Sequence, residues 1–204
     1  YHVGDILEID DFKFIWTLGE LDDENENKGI ERKYTKRVEV GTYAVGADSV
    51  YVDLIGEINK EFRKRLDESF FDTNTLFVEF SRGTNFTYTE SLNALDEEIL
   101  KQAVIYYVKV SYNESLRKNK RRYKPEEADS ILFHSVPDEV MVRYEHDDFF
   151  KLVEQSDDDY MKIKGIRIPF GIFDNEPEKT DDGDKIESEL SETFIPMYGL
   201  FQKK

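Results

Sequence analysis

Residues 1–204 predict an α/β domain in which a mostly parallel sheet is flanked by helices. Three observations carry that prediction. The runs "TLFVEF" (75–80) and "VIYYVKV" (104–110) are apolar nearly throughout, as strands covered on both faces are. Stretches with apolar residues at helical spacing separate such runs. A length of 204 residues suits one domain with a full core, and neither an internal repeat nor a low-complexity linker divides it.

The elements follow in order. Residues 1–9 read as a short strand or strand end, and "DDFKFIWTLGEL" (10–21) as an aromatic-rich helix. "DDENENKGIERKYTKR" (22–37) is polar enough for an exposed loop or a frayed helix. From 47 to 70, Val50, Leu54, Ile55, Ile58, Phe62 and Leu66 recur at helical spacing. After the strand at 75–80 comes a helix over 91–103, with Leu92, Leu95, Ile99 and Leu100 on one side. The strand "VIYYVKV" leads into the helix "NESLRKNKRR" (113–122), for which Ser111 or Asn113 is the N-cap. Residues 126–153 predict two helical pieces broken before Pro137. "YMKIKGIRIPFGIF" (160–173) supplies the last strand, and an acidic, then amphipathic tail follows as a flexible segment before a short docking helix.

A formal charge of −17 and a pI near 4.6 argue against a general nucleic-acid binder, whose footprint is basic. They leave room for a local cationic site that binds one phosphorylated small molecule. With no cysteine, disulfides, thiol chemistry and Cys-ligated zinc are excluded, which fits a reducing cytoplasm. No apolar run approaches the roughly 20 residues that span a bilayer, so no membrane partner is expected. A homodimer is compatible with this composition.

In an open parallel sheet, ligands bind beyond the carboxyl ends of the strands. The residues to inspect are therefore Asp10 and Asp11 after the first strand, and Glu79, Ser81, Arg82 and Gly83 at the end of the second. Arg117, Arg121 and Arg122 follow "VIYYVKV", in a stretch where five of the six residues from 117 to 122 are basic. Asp174, Asn175 and Glu176 close the last strand. Carboxylates, arginines and an amide on one edge suit phosphate and Mg²⁺ chemistry.

The order of these segments resembles the P-loop nucleoside and nucleotide kinases over residues 4–178. "IDDF" is similar to their strand-end acidic motif, "TLFVEFSRG" to their third strand, "LRKNKRRY" to their lid, and "FGIFDNEPE" to the strand and loop beside adenine. The resemblance implies a three-layer sandwich, with a helical lid at about 113–150 and an acidic tail at about 176–204. It implies ATP-dependent phosphoryl transfer, with Mg²⁺, to a small-molecule acceptor such as a nucleoside or nucleotide. In that scheme Asp11 or Asp10 orients or deprotonates the acceptor. Glu79, Arg82 and Arg122 contact substrate, Arg117 and Arg121 clamp the transferring phosphate, and Asn175 lies near the base. Arginine suits the clamp because its planar fork bonds phosphate at two points and keeps its charge.

The chain departs from the family in one respect: G-x-x-x-x-G-K-[ST] does not occur in it. The resemblance places that loop after a central strand upstream of "YHVGD", in a piece of about 30 residues. Without it the expectation turns to a non-catalytic domain that binds a nucleotide or a protein. A metal-dependent hydrolase using Asp10, Asp11 and Glu79 is a third reading.

Plainer explanations compete with each residue. The basic run suits a solvated helix face. Asp10 and Asp11 suit a helix cap, with one capping while the other serves. Glu79, inside an apolar strand, needs a partner if buried, and Arg82 is the nearest in sequence. His134 and His146 lack a third ligand at metal spacing, and 157–159 suits a solvated turn.

Overall fold

A computed structural model describes residues 4–39, 42–65, 69–122, 124 and 136–203. The chain forms two compact units, one of Tyr1–Leu95 with Asn119–Asp147 and one of Asp96–Lys118 with Asp148–Lys204.

In the first unit, β1 (Ile6–Asp10) pairs in parallel with β4 (Thr75–Glu79), in register from Ile6 opposite Thr75 to Asp10 opposite Glu79. Helix α1 (Asp11–Asn27) starts directly after β1, because the Asp10 carboxylate accepts the Phe12 N–H at 2.8 Å and caps it. The hairpin β2 (Thr35–Glu39) and β3 (Thr42–Val45) packs on α1 closely enough that a Cβ on Gly19 would lie 2.4 Å from the Tyr43 ring. Helix α2 (Ser49–Arg63) buries Val50, Tyr51, Leu54, Ile55, Ile58 and Phe62, the stripe read from the sequence, with Tyr51 added. It packs on α1, on β1 and on α4 (Tyr88–Ala94), which opens with a capping box of Thr87 and Glu90. A short α3 (Phe70–Thr73) precedes β4.

In the second unit, β7 (Ile166–Asp174) lies between β5 (Ile105–Lys109), which is parallel to it, and β6 (Tyr160–Ile163), which is antiparallel. Lys164 and Gly165, at φ 49° and 80°, make the tight β6–β7 turn, where glycine carries the positive φ at no steric cost. Tyr107 stacks on Phe149 of α8 (Phe149–Glu154) with ring centroids 3.9 Å apart, and Tyr106 on Phe194 of α9 (Gly183–Phe201) at 4.7 Å. Helix α5 (Glu97–Gln102) packs on β7. Helix α6 (Tyr112–Arg122), which belongs to this unit as far as Lys118, follows β5, and Ser111 Oγ accepts the Glu114 N–H at 3.2 Å, so Ser111 is its cap. Beyond it come α7 (Asp138–Met141) and a 3₁₀ turn (Val142–Tyr144), both in the first unit.

The α/β class holds, and a mostly parallel sheet is not shown: among the described residues the sheets are small and mixed, two parallel pairs, each joined by a crossover, and two hairpins. Neither hairpin is legible in the sequence. Thr35–Glu39 is too polar to stand out as a strand, and the β6–β7 turn is a Lys-Gly pair inside a run read as one strand. The tail is a helix of 19 residues rather than a short one, and 22–27 belongs to α1. The expected helix before Pro137, Leu66 and His134 lie outside the described residues. Among the described residues no helix is long and apolar enough to cross a membrane.

Candidate functional site

The carboxyl edge of β1 and β4 gathers the first set of expected residues. Asp10 and Glu79 are the last register partners of the two strands, and Asp11 and Arg82 stand just beyond them. Asp10 is occupied as the α1 cap, which frees Asp11 for another role. Arg82 Nη1 donates to Asp11 Oδ2 at 2.6 Å and to the Ser81 carbonyl at 2.8 Å, and its Nε donates to Ser91 Oγ at 2.7 Å. The guanidinium carbon lies 4.8 Å from the Phe80 ring centroid and 5.2 Å from that of Tyr51. Arg82 is 3% exposed and Asp11 5%. Among the described residues no acceptor meets the buried Arg82 Nη2.

An unsatisfied N–H on a buried charge is costly, and native proteins rarely leave one. Burial pushes the Asp11 carboxyl up to about 6, against the lowering pull of Arg82 and with added repulsion from Asp10 and Glu79. Burial likewise raises Tyr144, which is hydrogen-bonded to Tyr51 and lies within the fields of Asp11 and Arg82. It also raises Tyr88, whose hydroxyl is bonded by the Arg82 backbone.

Glu79 differs from expectation. It is exposed rather than buried and does not pair with Arg82, which turns to Asp11 instead. Partial desolvation, then Asp10 and Glu8, raise its carboxyl, while Arg122 and Lys13 pull it down. Arg122 thus acts on the β1–β4 edge, from the exposed end of α6.

The second set gathers at the carboxyl edge of β5 and β7. Lys109 bonds Asp174 at 2.7 Å, and Glu176 accepts the Ser111 N–H at 2.7 Å and its hydroxyl at 3.0 Å. Arg117 is held by Glu114, at 2.8 and 2.6 Å, and by Glu178. Asn175 is buried. Its N–H donates to the Lys109 carbonyl and its Oδ1 accepts the Lys179 N–H, both at 2.9 Å, so it braces the loop after β7. Arg121 is exposed one turn beyond Arg117.

Three contributors were not singled out from the sequence: Ser91, Tyr51 and Tyr144. For Ser91 a signal existed, since Thr87-x-x-Glu90 marks a helix start and sets Ser91 one position further on. The tyrosines carried none, because an aromatic at helical spacing reads as core. Among the described residues no group of three or more His, Asp or Glu side chains could hold a metal ion, and 157–159 is an exposed turn, as read. The chain matches no protein-family profile, and neither a curated protein nor a solved structure is significantly similar to it.

Proposed function

We propose that the edge of β1 and β4 binds the acceptor of a phosphoryl transfer, a small molecule with a hydroxyl and an anionic or strongly polar oxygen. One observation carries the reading: a buried guanidinium with an unbonded N–H, held against a carboxyl raised to about 6. At neutral pH that carboxyl is ionised, and its Oδ2 is engaged by Arg82. Its Oδ1 would take the proton of the acceptor hydroxyl as that oxygen bonds the phosphorus of a phosphoryl donor, whose own P–O bond breaks and whose leaving oxygen departs with the electron pair. Arg82 Nη2 would donate to a second acceptor oxygen and fix the molecule's orientation. A general base near its own pKa contributes about 10²–10⁴-fold in rate.

The resemblance to P-loop kinases also implies ATP and Mg²⁺. The residues at hand do not fit them: the phosphate loop is not in the sequence, and no trio of metal-ligating side chains occurs among the described residues. The same observation favours a second reading, a domain that binds a nucleotide or polar metabolite without turnover. It gives the metal-dependent hydrolase no support.

The experiment is ATP consumption with Mg²⁺ and a panel of nucleosides and nucleotides, for the natural chain and for Asp11→Asn, with circular dichroism as the fold control. Asparagine keeps an oxygen for Arg82 but cannot take the proton. Turnover should fall by about 10²-fold or more, with acceptor binding retained. Equal turnover in the variant would remove Asp11 from catalysis, and binding without ATP consumption in either protein would leave the non-catalytic reading.

A further inference from the structure

Arg82 and Asp11 are nearly sealed from solvent, so a ligand for them needs a way in. The seal is specific. Gly83 lies flush against the 3₁₀ turn: a Cβ there would come within 1.9 Å of the Arg143 carbonyl oxygen and 3.2 Å of Tyr144 Cα. The Thr84 N–H donates to that same carbonyl at 3.0 Å. This contact carries the Tyr144 hydroxyl into the polar cluster, bonded to Tyr51, whose ring lies against Arg82. On its other side the segment is tied by the Lys120–Asp138 ion pair at 2.8 Å and, just ahead of it, by Asn119, which bonds the Val136 carbonyl and N–H at 2.6 and 2.8 Å. Val142 is 52% exposed and Glu145 is exposed, while Met141 supplies the buried contact.

We infer that 138–144 is an autoinhibitory plug, in which the Tyr144 hydroxyl holds the place that a ligand hydroxyl takes beside Asp11 and Arg82. This rests on the reading of that pair as a ligand site. Two features suit a plug better than a permanent core contact. It leaves Arg82 Nη2 without an acceptor, so an incoming oxygen gains a bond the tyrosine does not make. And it is held on the Gly83 side through backbone, where one added methyl group is enough to lift it. Ligand affinity is then reduced by the fraction of molecules that are open, and loosening the plug raises it.

The test uses the whole chain, inorganic phosphate as probe, and three variants: Gly83→Ala, Tyr144→Ala and Tyr144→Phe. In Gly83→Ala the Thr84 amide should exchange with solvent about tenfold faster while β4 amides stay protected, and phosphate should bind about tenfold more tightly. Tyr144→Ala should tighten phosphate binding similarly. Tyr144→Phe should keep Thr84 protected and gain less, since the ring still fills the space. Unchanged or weaker phosphate binding in both alanine variants overturns the plug. So does loss of β4 protection in both, which would make the turn part of the core. Tighter phosphate binding alongside Asp11→Asn turnover equal to the natural chain's would sink the catalytic reading alone. Turnover that needs Asp11, with no gain from either alanine variant, would sink the plug alone.

Discussion

The two ends of helix α1 each bury a carboxylate, and the two behave in opposite ways. Asp22, near the C-terminal end, is fully buried and accepts the N–H groups of Lys33, Tyr34 and Thr35 at 2.9, 2.9 and 2.7 Å, and the Thr35 hydroxyl at 2.9 Å. Burial alone would raise its carboxyl, but these donors outweigh it and hold the group below the usual carboxylate range. Asp11, in the first turn, meets one donor residue, and Arg82 divides its N–H groups among Asp11, Ser91, the Ser81 carbonyl and nothing. There burial wins, and the carboxyl rises to about 6. A carboxylate saturated with donors fastens a loop. One left short of them, beside a guanidinium also left short, is poised to bind or to take a proton.

The contrast can be broken at either end. Asp22→Ala should have the largest effect, about 4 kcal/mol of stability in urea unfolding, because it strips the acceptor from several buried donors at once. A loss under 1 kcal/mol would mean that water or relaxation replaces Asp22. Asp11→Ala should cost about 3 kcal/mol, at the lower end for a broken buried pair, since the ionised carboxylate it removes is itself disfavoured by burial.

The pH dependence sharpens the same comparison. Asp11 has its folded pKa raised from 3.8 to about 6, so the folded state holds the extra proton between those values. Its contribution is most favourable below about 4 and falls as pH rises to 6, by about 3 kcal/mol in all. Asp22 has its pKa lowered, so its contribution is present above the usual carboxylate range and is lost as pH falls through the folded value. Unfolding free energies between pH 4 and 7 should therefore show a downward slope that Asp11→Asn makes much shallower, leaving the smaller part that the raised Glu79 carboxyl contributes, and that Asp22→Asn leaves in place. Arg117→Gln should have the smallest effect, a shift in urea unfolding barely above its scatter, since an exposed ion pair contributes little. A loss as large as that of Asp11→Ala would show that the contacts with Glu114 and Glu178 do more than exposed pairs do.

Much of this arrangement was legible in the sequence, and the reasons for the rest are physical. Val50, Leu54, Ile58 and Phe62 announced α2 because helical spacing and burial coincide there. Asp11 and Arg82 were legible as residues just past parallel strands, since strand direction fixes which ends converge. Their mutual pairing was not. Arg82 stands 71 positions from Asp11 and 3 from Glu79, and proximity in sequence pointed to the wrong carboxylate. The basic run at 117–122 announces a phosphate clamp of Arg117 and Arg121, yet Arg117 is matched to Glu114 and Glu178, while Arg122 acts on Glu79. Those pairings depend on which loops return to α6, and local pattern does not encode that. Asp22 looked like one more acid in a polar stretch, because the donors that define it come from the backbone of 33–35, where side-chain identity says little.

The most direct test of the central claim is an NMR titration of the aspartate side-chain carboxyl carbons, with Asp11 assigned by its loss in Asp11→Asn. A midpoint near 6 for Asp11, with Asp22 titrating below the ordinary carboxylate range, is the expected result. A midpoint for Asp11 at or below 4 would mean that Arg82 fully satisfies it, and that the pair is a structural clasp rather than a site.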